Sequence, residues 1–244
     1  MDLTAEEWLA ALQMQEEEIP DAVIVEGSWW RAQRNEWRLS YLQDVRELHF
    51  PDIFWGRWRG RKIAYCCAYG APRTNEIIHL FAILGVRLAI QIGTCGGLAE
   101  GLQPGDIILP RTAACREGVA QLYGATEISY GDEAGLHRAH HSLQQLGRRS
   151  LIGPHLTWAS LFAQRGEDIQ QWHKEGFLGV DMETATTYAV ANHFNVPAIS
   201  LLVVWDLLLN NRSFLDPLSD AEQNELDRSN EAVYTVALDL IQSL

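Results

Sequence analysis

The chain has 244 residues, 47% of them hydrophobic, which suffices for one sizeable core, given that domains run to roughly 100 to 200 residues. Its formal charge of −13 argues against a nucleic-acid backbone or an anionic membrane as main partner, because either would repel it at long range; a small anion in a locally basic pocket stays open. No apolar run approaches the roughly 18 residues of a membrane span, and the opening "MDLTAEEWLAALQMQEEE" is acidic where a signal peptide is basic, so a cytoplasmic location is expected.

Thr4 and Glu7 form a capping box ahead of Trp8, Leu9 and Leu12, predicting an amphipathic helix at the start. "DAVIV" then reads as a buried strand ending at Gly27. "DIFWGRW" and "KIAYCCAY", separated by Arg59-Gly60-Arg61, predict a hairpin, and Pro72 opens a helix that stops at Gly85. The strand "VRLAIQI" follows and leads into "GTCGG", read as a glycine-rich turn after the strand. Further on, "GDIILP" reads as a strand, "EAGLHRAHHSLQQL" as a helix and "SLIGPHLTW" as a strand. A helix is expected from about Met182 to Phe194, "VPAISLLVVW" is a fully buried strand, and Ser219 with Glu222 caps a last helix.

This alternation implies an α/β fold, a three-layer α/β/α sandwich around a mainly parallel, mixed sheet, in a single domain spanning 1–244. Cys66, Cys67, Cys95 and Cys115 show no C-x-x-C spacing and read as free buried thiols, and no histidines lie at zinc-site spacing; no metal is expected.

In open α/β sheets ligands bind beyond the carboxyl ends of the strands. Four such places carry polar chemistry: Gly27 to Arg31 after "DAVIVE", Gly93 to Gly97 after "RLAIQI", Asp206 after "LLVVW", and Asp181-Met182-Glu183 at a helix start. Together they offer backbone amides, a hydroxyl and a guanidinium to an oxyanion, and carboxylates to hydroxyls or protons. A ligand with a sugar and a phosphate-like group suits that set. The glycine-rich stretch lacks the lysine of a P-loop and the spacing of a dinucleotide fingerprint.

The residues resemble the nucleoside phosphorylases and nucleosidases, from "VIVEGSWWRA" through "IGTCGGLAEGLQPGDIILP" to "GVDMETATTYAVANHFNVPAISLLVVWD". The resemblance implies cleavage of an N-glycosidic bond through an oxocarbenium-like transition state, with phosphate or water attacking the anomeric carbon and no metal or organic cofactor. It implies that Gly27 and Arg31 match the first phosphate motif, Thr94 and its neighbouring amides the second, and Met182 with Glu183 the ribose clamp. Asp206 matches the acid that purine-cleaving members place at the base, where general acid catalysis is worth roughly a hundred- to ten-thousand-fold. Phe162 matches an aromatic that stacks on a purine, while the adjacent Gln164 and Arg165 are similar to a Gln-x-Arg pair that reads uracil.

The chain also departs from the family. Gln91 stands where phosphorylases carry an arginine, no arginine is found in "LHFPDIFWG" to match one supplied by a neighbouring subunit, and Ser28 and Trp29 replace an Asp-Pro pair. Each missing charge-assisted hydrogen bond costs about 1.5–3 kcal/mol, so two lost arginines weaken phosphate binding by about two to four orders of magnitude. Arg73, in "GAPRTNE", offers a replacement charge from another direction.

The expectation is therefore phosphorolysis of a nucleoside, purine before uridine, to base and (deoxy)ribose 1-phosphate, with inorganic phosphate as co-substrate and a homo-oligomer, dimer or hexamer, as assembly. The alternatives are a hydrolytic nucleosidase using Glu117 or Asp181 to activate water, and a nucleoside sensor without turnover.

Overall fold

Successive residues of the first strand serve two separate cores. Val23 and Val25 pack into one, Ala22 and Ile24 into the other, and all four are buried. A strand covered on both faces reads as a continuous apolar run. The computed structural model describes residues 3–244. In chain order its elements are α1 (Ala5–Leu12), β1 (Ala22–Gly27), α2 (Arg31–Leu39), β2 (Gln43–Glu47), β3 (Ile53–Trp58), β4 (Arg61–Cys67), α3 (Ala71–Ile83), β5 (Leu88–Gly97), β6 (Ile107–Arg116), β7 (Ile128–Tyr130), α4 (Glu133–Gln145), β8 (Ser150–Trp158), α5 (Gly166–Lys174), β9 (Gly179–Asp181), α6 (Thr184–His193), β10 (Ala198–Leu207) and α7 (Asp220–Gln242).

The first core lies under α3 and α6, the second under α4 and α7, giving an α/β fold with helices on both faces of a mixed sheet. Ladders are parallel between β1 and β4, β1 and β5, β5 and β10, β6 and β8, and β8 and β9, and antiparallel elsewhere. Both predicted capping boxes form, at Thr4 and Ser219, and the β3–β4 hairpin pairs in register from Ile53↔Cys66 to Trp58↔Arg61. Among the described residues no helix is long and apolar enough to cross a membrane.

The stretch "GTCGG" is not a turn. β5 runs straight through it to Gly97, and the glycines give room for close neighbours: a Cβ on Gly96 would lie 2.6 Å from Leu208, and one on Gly97 3.0 Å from Leu102. Along one edge of β5, β10 pairs from Ala89 to Gly97. Along the other, β1 pairs only as far as Gly27↔Gly93, and β9 begins at Gly96↔Val180. The sheet thus forks at Thr94 and Cys95, the one place where that edge of β5 has no strand beside it. Because β10 also joins β6, β6 joins β8 and β8 joins β9, which returns to β5, the strands beyond the fork close on themselves.

Candidate active site

The fork opens a cleft with about 730 Å³ of empty space, continuous with solvent, walled by the ends of β1, β5, β9 and β10. Residues singled out in the sequence line it, among them Gly27, Thr94, Gln164, Asp181, Met182, Glu183 and Asp206. They arrive from separate strand ends, as the rule for α/β sheets anticipates.

Glu183 caps the start of α6 and is buried. The Gly70 amide donates to its Oε1 at 2.6 Å and the Met182 amide to its Oε2 at 3.2 Å. Burial, and then the charge of Asp181, push its carboxyl up to about 8 in spite of those two donors. The cleft therefore holds a carboxyl that ionises at about 8, ready to accept hydrogen bonds once it does.

Asp181 lies deeper. Gln91 Nε2 donates to its Oδ2 at 2.8 Å, the Thr184 amide to the same oxygen at 2.9 Å, and the Thr157 hydroxyl to its Oδ1 at 2.9 Å. Burial opposes its charge, yet the neighbouring His155 and the donors from Thr184 and Gln91 outweigh burial and hold this carboxyl below its usual value.

Gln91, expected beside the phosphate because it stands at the position of a family arginine, faces Asp181 instead. It is fully buried, and its Oε1 accepts from the Ser200 hydroxyl at 2.7 Å and lies 2.8 Å from that of Thr184. Strand alternation points it toward α6, beneath the cleft, where it holds Asp181 and lies outside the cleft lining.

Asp206 sits just past a bulge in β10, where the register with β5 shifts between Val204 and Asp206. Bulges re-aim side chains beside functional sites. Its Oδ1 is buried without a hydrogen-bond partner, and burial pushes the carboxyl up to about 6. Arg212, on the loop after β10, pairs with Glu222 at 2.5 Å rather than with Asp206. The bulged Trp205 stacks on Trp30 with ring centroids 5.3 Å apart and 18° between planes.

The cations are redistributed. Arg31 is 59% exposed, donates to Asp52 at 2.7 Å and lines a neighbouring cleft together with Arg73, whose guanidinium contacts Glu76 and the Pro51 carbonyl. The arginine that lines the main cleft is Arg34, one helical turn further along α2 and only 13% exposed. Its Nε lies 3.5 Å from the buried Glu26 carboxylate, which Arg38 grips through two donors at 2.9 and 3.1 Å and Tyr65 through its hydroxyl at 2.9 Å. Arg38 and Glu26 neutralise each other in the core, and Arg34 carries the remaining positive charge to the cleft wall.

Two base-side expectations also change. Phe162 is 82% exposed and meets Trp29, with centroids 5.7 Å apart, outside the lining of the cleft. Arg165 is held at the surface by Glu167 and Asp168, so only Gln164 of the adjacent pair reaches the site. Glu117 bonds the amides of Val119 and Ala120 in its own turn, remote from the cleft lining.

The family model described as the phosphorylase superfamily matches residues 39–242. The chain belongs to the phosphorylase superfamily. Within it, the chain is 28% identical over 215 residues to a DeoD-type purine nucleoside phosphorylase of Clostridium beijerinckii, covering 84% of this chain and 86% of that one. A second DeoD-type purine nucleoside phosphorylase, of Alkaliphilus metalliredigens, is 29% identical over 199 residues, covering 79% and 84%. Among solved structures, uridine phosphorylase from Vibrio fischeri, complexed with 6-hydroxy-1-naphthoic acid, superposes with a TM-score of 0.82 at 22% identity over 96% of each chain, which is a likeness of fold. The superfamily match starts at Leu39, the last residue of α2, so Gly27, Arg31 and Arg34 lie outside it.

The sequence reading missed Arg34, Trp205, Tyr69 and Phe214 as lining residues. For Arg34 a signal existed: "RAQRNEWR" puts Arg31, Arg34 and Arg38 three and four apart, on one side of a helix. Tyr69, whose hydroxyl lies 3.2 Å from Met182 Sδ, and Phe214 come together only through the fold, each packing its ring on Trp29.

Proposed function

We propose that this protein cleaves the N-glycosidic bond of a purine nucleoside by phosphorolysis, giving free base and (deoxy)ribose 1-phosphate. The observation that carries the reading is Asp206: a carboxyl in the cleft wall, Oδ1 buried and unpartnered, its proton retained up to about pH 6. Such a group is suited to donate to purine N7 as the bond from C1′ to N9 breaks and its electron pair moves onto the base. Glu183, once ionised, accepts the ribose 2′- and 3′-hydroxyls beside Met182, replacing the water it lacks in the interior. Positive charge then develops on the sugar, and a phosphate oxygen attacks C1′ to form the new bond. Arg34 and the Thr94 hydroxyl, on the cleft wall at the fork, are the groups assigned to that phosphate.

The purine nucleoside phosphorylases among its relatives support this reading, as does the loss of the Gln-Arg pairing for uracil. Hydrolysis is the second reading. It is favoured by Arg34 being, among the described residues, the one guanidinium that lines the cleft, and by its place beside Glu26, which makes it a weak cradle for a dianion. Its difficulty is the base: Asp181 already accepts from Gln91, Thr157 and Thr184.

A panel of purine and pyrimidine nucleosides, assayed with and without phosphate and resolved by chromatography, tests the proposal. Purine release that rises with phosphate and yields sugar 1-phosphate is the expected result. Equal turnover without phosphate selects hydrolysis, and binding with no turnover across the panel selects a sensor.

A further inference from the structure

His155, on β8, is wholly buried, and neither of its ring nitrogens has a hydrogen-bond partner. An imidazole taken out of water without compensation is costly. The ring is wedged against β9, where a Cβ on Gly179 would stand 3.2 Å from His155 Cε1, and its Nε2 lies 3.4 Å from Asp181 Oδ1. Asp181 in turn stands two residues before Glu183, and its charge opposes ionisation of that carboxyl.

We infer that His155 is a positioning residue for the ribose clamp: through its contact with Asp181 it fixes the negative charge that Asp181 presents to Glu183. The inference rests on the proposed role of Glu183 only for its effect on turnover.

The remaining groups around this pair are accounted for. Asp181 faces neutral donors from β5 (Gln91), β8 (Thr157) and α6 (Thr184). The Cys95 thiol of β5 and the Tyr188 hydroxyl of α6 are both pushed up, by burial first and then by the charge of Asp181, so they stay neutral. Glu183 faces the amides of Gly70 and Met182, and Tyr69, whose hydroxyl is raised by burial and then by Glu183 itself. His155 is thus the basic side chain in contact with Asp181.

Removing it leaves a deeply buried carboxyl with neutral donors alone. Burial then favours a proton on Asp181, its charge beside Glu183 fades, and Glu183 ionises at lower pH.

The test uses the full chain and three substitutions: His155→Leu, His155→Met and His155→Gln. The glutamate carboxyls are followed by carbon-13 NMR across pH, with the Glu183 signal identified by its loss in Glu183→Gln. In the native chain the midpoint lies at about 8. In the leucine variant it falls by roughly one pH unit or more, and the methionine variant, close in volume, carries the same expectation should leucine prevent folding. Glutamine puts one more neutral donor toward Asp181 in place of the imidazole, and its midpoint is expected between those of the leucine variant and the native chain. An unchanged midpoint in the apolar variants overturns the inference. The pH profile of kcat/KM separates the two readings: a shifted midpoint with an unshifted profile leaves His155 as assigned and removes Glu183 from ribose binding.

Discussion

Gly27 and Glu183 are in contact across the cleft mouth: a methyl group on Gly27 would stand 2.8 Å from both Cδ and Oε2 of the Glu183 carboxyl. The end of β1 therefore shapes the position of a side chain on α6. Gly27→Ala is expected to keep the fold and to push the carboxylate out of line, with a loss of roughly a hundredfold in kcat/KM, the scale of a misplacement of about 1 Å. Steady-state kinetics beside a thermal melt checks this; full activity in the alanine variant would mean that Glu183 needs no such alignment.

The two cleft carboxyls titrate in an inverted order, Asp206 at about 6 and Glu183 at about 8. A reaction that needs Asp206 protonated and Glu183 ionised then draws, near pH 7, on roughly one molecule in a hundred. The predicted profile of kcat/KM climbs to about pH 6, is flat to about pH 8 and falls beyond. Asp206→Asn is expected to lower the rate by roughly a hundred- to ten-thousand-fold and to abolish the alkaline fall, since no proton is left to lose. A mutant profile that still declines above pH 8 would assign that limb elsewhere.

Arg34 and Arg31 make opposite predictions. Arg34→Ala raises the KM for phosphate by roughly ten- to a hundredfold, the value of one charge-assisted hydrogen bond. Arg31→Ala changes it by less than about twofold, because the exposed pair with Asp52 contributes little. Phosphate saturation curves for the two variants decide between them, and a larger effect at Arg31 would restore the motif-based assignment.

Glu183 also links stability to pH. Its folded-state value of about 8 lies above the ordinary 4.5. The stabilisation that comes from keeping its proton is complete below about pH 4.5 and is lost as the pH rises through about 8. Glu183→Gln is expected to flatten that loss, on the order of a few kcal/mol. Denaturant midpoints for the two proteins between pH 5 and 9 measure it; parallel curves would place the titration on another group.

Most of the framework was legible because the cues are local. The Thr4 and Ser219 capping boxes, the apolar runs of β1 and β10 and the β3–β4 hairpin need nothing beyond their own residues. The element α2 was missed because its most buried residue is Arg38, a charge that reads as surface until Glu26 and Tyr65 are brought to it. "QIGTCGGL" misled for a related reason. Three glycines look like a turn, whereas here they clear space for Leu208 and Leu102 along a continuing strand. Gln91 looked like a failed arginine and is a complete member of the network beneath the site. The strand-end rule pointed to Glu183 and Asp206, both of which line the cleft, but which arginine turns inward depended on the buried Glu26, and the family resemblance had favoured Arg31.

The fork in β5 makes the recess independent of its chemistry. Thr94 and Cys95 line it where β1 ends and β9 has yet to begin, and the glycine that follows them makes room for Leu208, a side chain outside the lining. Variants that silence Asp206 or Glu183 keep the recess, so a lineage of this chain can abandon turnover and still inherit a receptor.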